Sequence, residues 1–157
     1  MQKNIYDNLS MELPNTVEAM TEDEMRKYYQ QIVPDFAGID RASNSIMCVI
    51  RQGDKALKKD DVKTRIAEYE TYYGRMCPGY QRGQMLMRKE KIFNIGVLSY
   101  KSNTPDSMRF NVVAVMNYCD VEVFINMSCD IDKAFDELPK FTKILQSVEV
   151  ISKSSLK

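Results

Sequence analysis

Histidine is absent from all 157 residues, and so is tryptophan. The first absence removes Ser-His-Asp and Cys-His catalysis, the His-rich zinc sites of hydrolases and the two-His facial iron site. An enzyme built on this chain would have to use carboxylates, lysine, tyrosine, a thiol or a cofactor. Glycine is scarce, and its six copies form neither G-x-x-x-x-G-K nor G-x-G-x-x-G, so no phosphate-cradling loop is indicated. The four cysteines, Cys48, Cys77, Cys119 and Cys129, stand 29, 42 and 10 residues apart and lack the close pairs of zinc knuckles. Reduced and mostly buried thiols are expected. Net charge is missing too: 22 basic side chains cancel 22 acidic ones, which argues against nucleic acid or an anionic membrane surface as partner. No apolar run exceeds a few residues, Val112 to Met116 being among the longest, so no membrane span is expected. Gln2, Asn4, Asp7 and Asn8 break up the start, so the expected compartment is the cytoplasm, unless a leader has been removed.

What is present reads as alternating elements. Ile5 to Leu13 is an opening strand or hairpin arm, with Leu9, Met11 and Leu13 alternating against polar neighbours. Thr21 and Glu24 form a capping box, with Met20 and Met25 as its staple, and predict a helix from about Glu22 to Gln31. Phe36 to Ala42 and Ile46 to Arg51 read as two strands, with Gln52-Gly53-Asp54 as the exit. Asp60 or Asp61 would cap the next helix, whose stripe is Val62, Ile66, Tyr69, Tyr73 and Met76, and Cys77-Pro78-Gly79 ends it. Tyr80 to Lys89, Ile92 to Lys101, Met108 to Tyr118 and Val121 to Cys129 predict an antiparallel meander. In its last strand Val121, Val123, Ile125, Met127 and Cys129 mark the core face, leaving Glu122, Phe124, Asn126 and Ser128 on the other. A helical stripe from Ile131 to Leu145 follows, kinked at Pro139 or begun afresh there, and Val148 to Ile151 closes as a short strand.

Motifs for chemistry are weak. Asp130-Ile131-Asp132 opens like a calcium loop, but the required glycine is Phe135 and the twelfth position is Phe141, so both acids read as helix-start residues. The S-x-x-K match, Ser154 to Lys157, falls in the polar terminal stretch. The acidic pairs, such as Asp60-Asp61 and Asp136-Glu137, read as solvated charges. Lys55, Lys58 and Lys59, and the run Arg88 to Lys91, are the basic clusters, and they read as a solubilising rim. The compositional oddity is eleven methionines with nine tyrosines. Met47, Met76, Met108, Met116 and Met127 fall on apolar stripes and are expected in the core. Tyr72, off the helical stripe, with Tyr80, Met85 and Met87, is the candidate partner-binding surface, since methionine and tyrosine suit adaptable contacts.

The order of these elements, with the entry strand ending in Leu13-Pro14, the capped helix closed by Pro34, the apolar run Ile46 to Ile50 and the closing stretch Ile144 to Ile151, resembles the PsbP-type fold. That fold is shared by the photosystem II extrinsic subunit, a Ran-binding nuclear transport factor and bacterial DcrB-like proteins. The resemblance implies an α+β protein, a single-domain α/β/α sandwich whose antiparallel sheet of about six strands is flanked by helices on both sides. That domain would span residues 1–151, with a polar tail over 152–157. The resemblance also implies a non-catalytic protein that binds another protein, some bacterial relatives being chaperones for secreted effectors. The absent histidine and absent motifs, taken with this resemblance, lead to the expectation of a cofactor-free binding module or accessory chaperone, with no catalytic, cofactor or metal residue assigned and a homodimer left open. The competing readings are a small-ligand carrier or histidine-free enzyme with a pocket between sheet and helix, and, less favoured, nucleic-acid binding through the lysine and arginine clusters.

Overall fold

The computed structural model describes residues 1–151; the polar tail and the Ser154 to Lys157 match lie outside them. The opening segment is a hairpin, β1 (Gln2–Tyr6) and β2 (Leu9–Glu12), that turns Leu9, Met11 and Leu13 inward. β3 (Val17–Ala19) is a strand too short to show as an alternation. α1 (Glu22–Tyr28) starts on the expected capping box, with Thr21 accepting from the Glu24 amide and the Glu24 side chain accepting from the Thr21 amide. It ends short of Gln31, capped at Tyr29, and Ile32 beyond it is exposed. β4 (Phe36–Asp40) and β5 (Ser45–Ala56) follow, the second running through Gly53 because Gln52 and Ala56 still pair across a register break. A single 3-10 turn, Lys59–Asp61, leads into α2 (Val62–Met76) with no side-chain capping bond from Asp60 or Asp61.

The meander is as expected: β6 (Gln81–Lys89), β7 (Asn94–Asn103), β8 (Met108–Tyr118) and β9 (Val121–Asp130), each antiparallel to the next. Cys119 and Asp120 form a two-residue turn, both with positive φ, the twist that matches a right-handed hairpin. α3 (Ala134–Gln146) passes through Pro139 and does not restart there. β10 (Glu149–Val150) joins β2. The strands form two sheets, β1-β2-β10 and a seven-stranded antiparallel sheet in the order β3-β4-β5-β9-β8-β7-β6. The fold is thus α+β with helices on both faces. The main sheet exceeds the expected six strands because of β3.

Both faces of that sheet are buried, which corrects the reading of β9 as having one core face. The hairpin and α3 cover one face, through Phe141, Ile144 and Leu145 on Val112, Ala114, Ile125 and Met127. α2 covers the other, with Val62 and Ile66 on Leu98, Val113 and Val115. α1 extends that cover through Met25 and Tyr29 onto Ala37, Ile39 and Cys48. Coverage from two sides explains why Val112 to Met116 is apolar at every position. Met47, Met116 and Met127 are in the core, but Met76 is 62% exposed and Met108 44%. Met76 lies on the last turn of α2 and Met108 at the tip of the β7–β8 hairpin, past the end of the layer that would cover them.

All four thiols are free; Cys48 and Cys129 are buried and Cys119 is exposed. Burial pushes Cys48 and Cys129 up from an ordinary value near 9.0 to about 11. Burial likewise raises the phenols of Tyr29, Tyr73 and Tyr100. For these acids the native state holds its protons longer than the unfolded chain does. The thiols' contribution is therefore complete below pH 9 and shrinks as pH rises from about 9 to 11, and the phenols' contribution shrinks only above pH 10. Urea midpoints measured at pH 7 and pH 10.5 should show the drop, and equal midpoints would contradict the burial.

Candidate functional site

α2 sits close to the sheet because Gly96 of β7 lies beneath it; a Cβ there would fall 2.8 Å from Ile66 Cγ2. The stripe that buries Val62 and Ile66 continues one helical repeat later as Tyr69 and Tyr73, half-buried over the sheet. Tyr69 meets Phe124 at 5.3 Å and Tyr73 at 5.9 Å between ring centroids. Tyr73 stacks on Tyr100 at 4.9 Å, and Tyr100 meets Tyr80 at 5.2 Å. Five aromatic rings thus form a continuous ladder from the centre of the sheet to the start of β6. Tyr72 stands edge-on to Tyr73 at 5.7 Å on the outer side.

At the Phe124 end the ladder borders an open groove of about 880 Å³, lined by Gln31, Ile32, Ile50, Lys55, Tyr69, Tyr72 and Phe124 among others. Beneath its lining residues Gln52, Arg65 and Tyr69 lies a carboxylate on the α2-facing side of β9. Glu122 is fully buried; Arg65 Nη1 donates to its Oε1, while Gln52 Nε2 and the Tyr69 hydroxyl each donate to Oε2 at 2.5 Å. Lys55 Nζ approaches the same hydroxyl at 3.4 Å. Burial, then the bond to Glu122, raises the Tyr69 phenol. Both Glu122 oxygens are occupied by donors, so the group ties α2 to β9 and β5 and is not a free base. The partner Arg65 lies 57 positions away in sequence, and a local pattern cannot reveal such a pair.

The four residues expected at a partner surface surround this same helix. Tyr72 is 56% exposed, as expected from its place off the stripe. Tyr80 is half-buried at the end of the ladder, and its hydroxyl is buried with no hydrogen-bond partner. Met85 and Met87 also turn toward α2 and are half-buried against its cluster, so their side chains are less available than expected. Leu86, between them, points to the other face and is 56% exposed. The alternation in this strand was legible, but which side was covered depended on α2.

β6 is the outermost strand, and among the described residues nothing pairs with its outer side. The turn closes with the Glu90 amide donating to the Phe93 carbonyl at 2.9 Å. From that pair the antiparallel alternation directs the amides of Arg88 and Leu86 toward β7 and those of Lys89, Met87 and Met85 outward. Beside Leu86, against α3, lies a second groove of about 370 Å³ that includes Val97, Leu138 and Leu145. The two basic clusters of the sequence meet at this end, since Lys59 Nζ donates to the Lys91 carbonyl at 3.1 Å. Arg88 is committed internally, donating to Glu90 and to the carbonyls of Leu145 and Val148.

No family model matches the sequence, and no curated protein matches it. Solved structures do. Cyanobacterial PsbP from Synechocystis sp. PCC 6803 is similar at a TM-score of 0.62 and 17% identity, over 92% of this chain and 88% of that one. LpqN of Mycobacterium tuberculosis, described as involved in cell envelope biogenesis, is similar at 0.61 and 9% identity, over 92% and 83%. The Saccharomyces cerevisiae Ran-binding protein Mog1p is similar at 0.56 and 13% identity, over 98% and 96%. At these identities the likeness establishes the fold, which is the PsbP-type fold expected from the sequence. Among the described residues no helix is long and apolar enough to cross a membrane.

Proposed function

We propose that this chain is a non-enzymatic protein-binding module, an accessory or chaperone-type factor, whose partner docks where α2 meets the outer strand β6. The observation that carries this reading is an apolar pair on solvent-facing α2: Tyr72 and Met76 are four residues apart, hence on one side of the helix, and both are more than half exposed. Large apolar side chains grouped outside a sheet that already has its core mark an interaction surface. The Ran-binding neighbour adds a precedent for protein binding on this fold, at the level of analogy. Unpaired thiols fit a reducing compartment such as the cytoplasm. A photo-crosslinking residue placed at position 72 should capture a protein adduct in native lysate, while the same residue at exposed Asp23 on α1 should not. Absence of any adduct from position 72, or equal adducts from both positions, would contradict the proposal.

A small-ligand carrier is the second reading, favoured by the groove in which Gln52, Lys55, Arg65 and Tyr69 converge. It expects a co-purified molecule that adds mass in native mass spectrometry and is lost in Tyr69→Ala.

A further inference from the structure

We infer that the outer edge of β6 accepts an extended acidic segment of another protein as an eighth strand of the main sheet. This rests on the protein-binding reading and specifies its partner. The sheet has two ends, and they differ. β3 has only three residues, whereas β6 has nine and leaves the main-chain groups of Met85, Met87 and Lys89 without a ladder partner. An added strand would complete those hydrogen bonds. Its side chains would alternate between the α3 side, where Leu86 and Leu138 border the 370 Å³ groove, and the α2 side, beside Met85 and Met87. Apolar residues at every second position suit that arrangement.

Charge selects the partner. Residues 81–91 carry Arg82, Arg88, Lys89 and Lys91 against Glu90 alone. Lys89 and Lys91 have no ion-pair partner among the described residues, and Lys59 reaches the same turn. Arg82 is held loosely, 3.6 Å from Glu70. A second copy would bring the same positive row to the edge, so these cations guard against self-pairing while favouring an acidic strand. Nucleic acid would satisfy the charges but not the row of amides and carbonyls.

The test uses the full chain and a short labelled peptide alternating glutamate with valine, a lysine-valine twin, and a single-stranded oligothymidine. The acidic peptide should bind in a salt-sensitive way and the basic twin should not. Met87→Pro deletes an outward amide, a change an edge strand tolerates, and should weaken binding about tenfold, whereas Met87→Ala, which loses the same half-buried side chain but keeps the amide, should bind as wild type and match the melting temperature of Met87→Pro. The pair Lys89→Glu with Lys91→Glu should shift preference to the basic twin. The inference is overturned if the two peptides bind alike, if Met87→Pro binds the acidic peptide as wild type does, or if oligothymidine binds better than the acidic peptide. It is also overturned if the wild-type chain sediments as a dimer that Met87→Pro splits. If the peptide binds but responds to Tyr72→Ala and not to Met87→Pro, protein binding stands and the edge is excluded.

Discussion

Arg65→Met should destabilise the protein by about 3–5 kcal/mol, and adding Glu122→Leu should return most of that loss. Glu122 has no exposed side-chain surface, whereas the Arg65 side chain keeps 24% of its own. Removing the cation strands a carboxylate that the Gln52 amide and the Tyr69 hydroxyl cannot neutralise. Removing both charges deletes the desolvation cost as well as the attraction, and leucine fills part of the space. In the double variant the Tyr69 hydroxyl still accepts from Gln52 and Lys55 but loses the acceptor for its own proton, so recovery should be incomplete by about 1 kcal/mol. Urea unfolding of the wild type, both single variants and the double variant closes the cycle. Additive losses would show that the two groups are not coupled.

Ile66→Ala should cost about 3–4 kcal/mol, because a fully buried side chain beneath α2 would leave a cavity against Leu98, Val113 and Val115. Gly96→Ala alone should cost about 1–3 kcal/mol through overpacking, since the new methyl would lie 2.8 Å from Ile66 Cγ2 and 2.9 Å from Ile66 Cβ. Together the two changes should cost less than their sum, because the alanine methyl at position 96 enters the space that Ile66 vacates. The comparison also bears on the candidate site. A loosened α2 carries Tyr69, Tyr72 and Tyr73 with it, so Ile66→Ala should weaken crosslinking from position 72 even though it lies under the surface.

Local signals in the sequence were enough for the capped start of α1, the α2 stripe and the four-strand meander, since each rests on a spacing of two to four residues. β3 escaped because three residues cannot display an alternation. The end of α1 escaped because the Met25 and Tyr29 packing stops where the chain turns to enter β4. Glu122 was visible only as a polar residue opposite a core face; that it is buried and paired depends on α2 crossing above it. The exposed pair on α2 was half legible. Tyr72 stood off the stripe, but Met76 stood on it, and only the limit of the sheet below shows that the stripe runs out. Met85 and Met87 lie on β6 and share one face of it, in alternation with Leu86. Their side chains are half-covered, and what they present to a partner is main chain, which no side-chain pattern encodes.

The most direct test of the account is amide hydrogen exchange, read residue by residue along β6 with and without the glutamate-valine peptide. In the free protein, Leu86 and Arg88 should exchange slowly and Met85, Met87 and Lys89 quickly; adding peptide should slow those three about tenfold. Protection of all five amides in the free protein, or no change at Met85, Met87 and Lys89 when peptide is added, would contradict it.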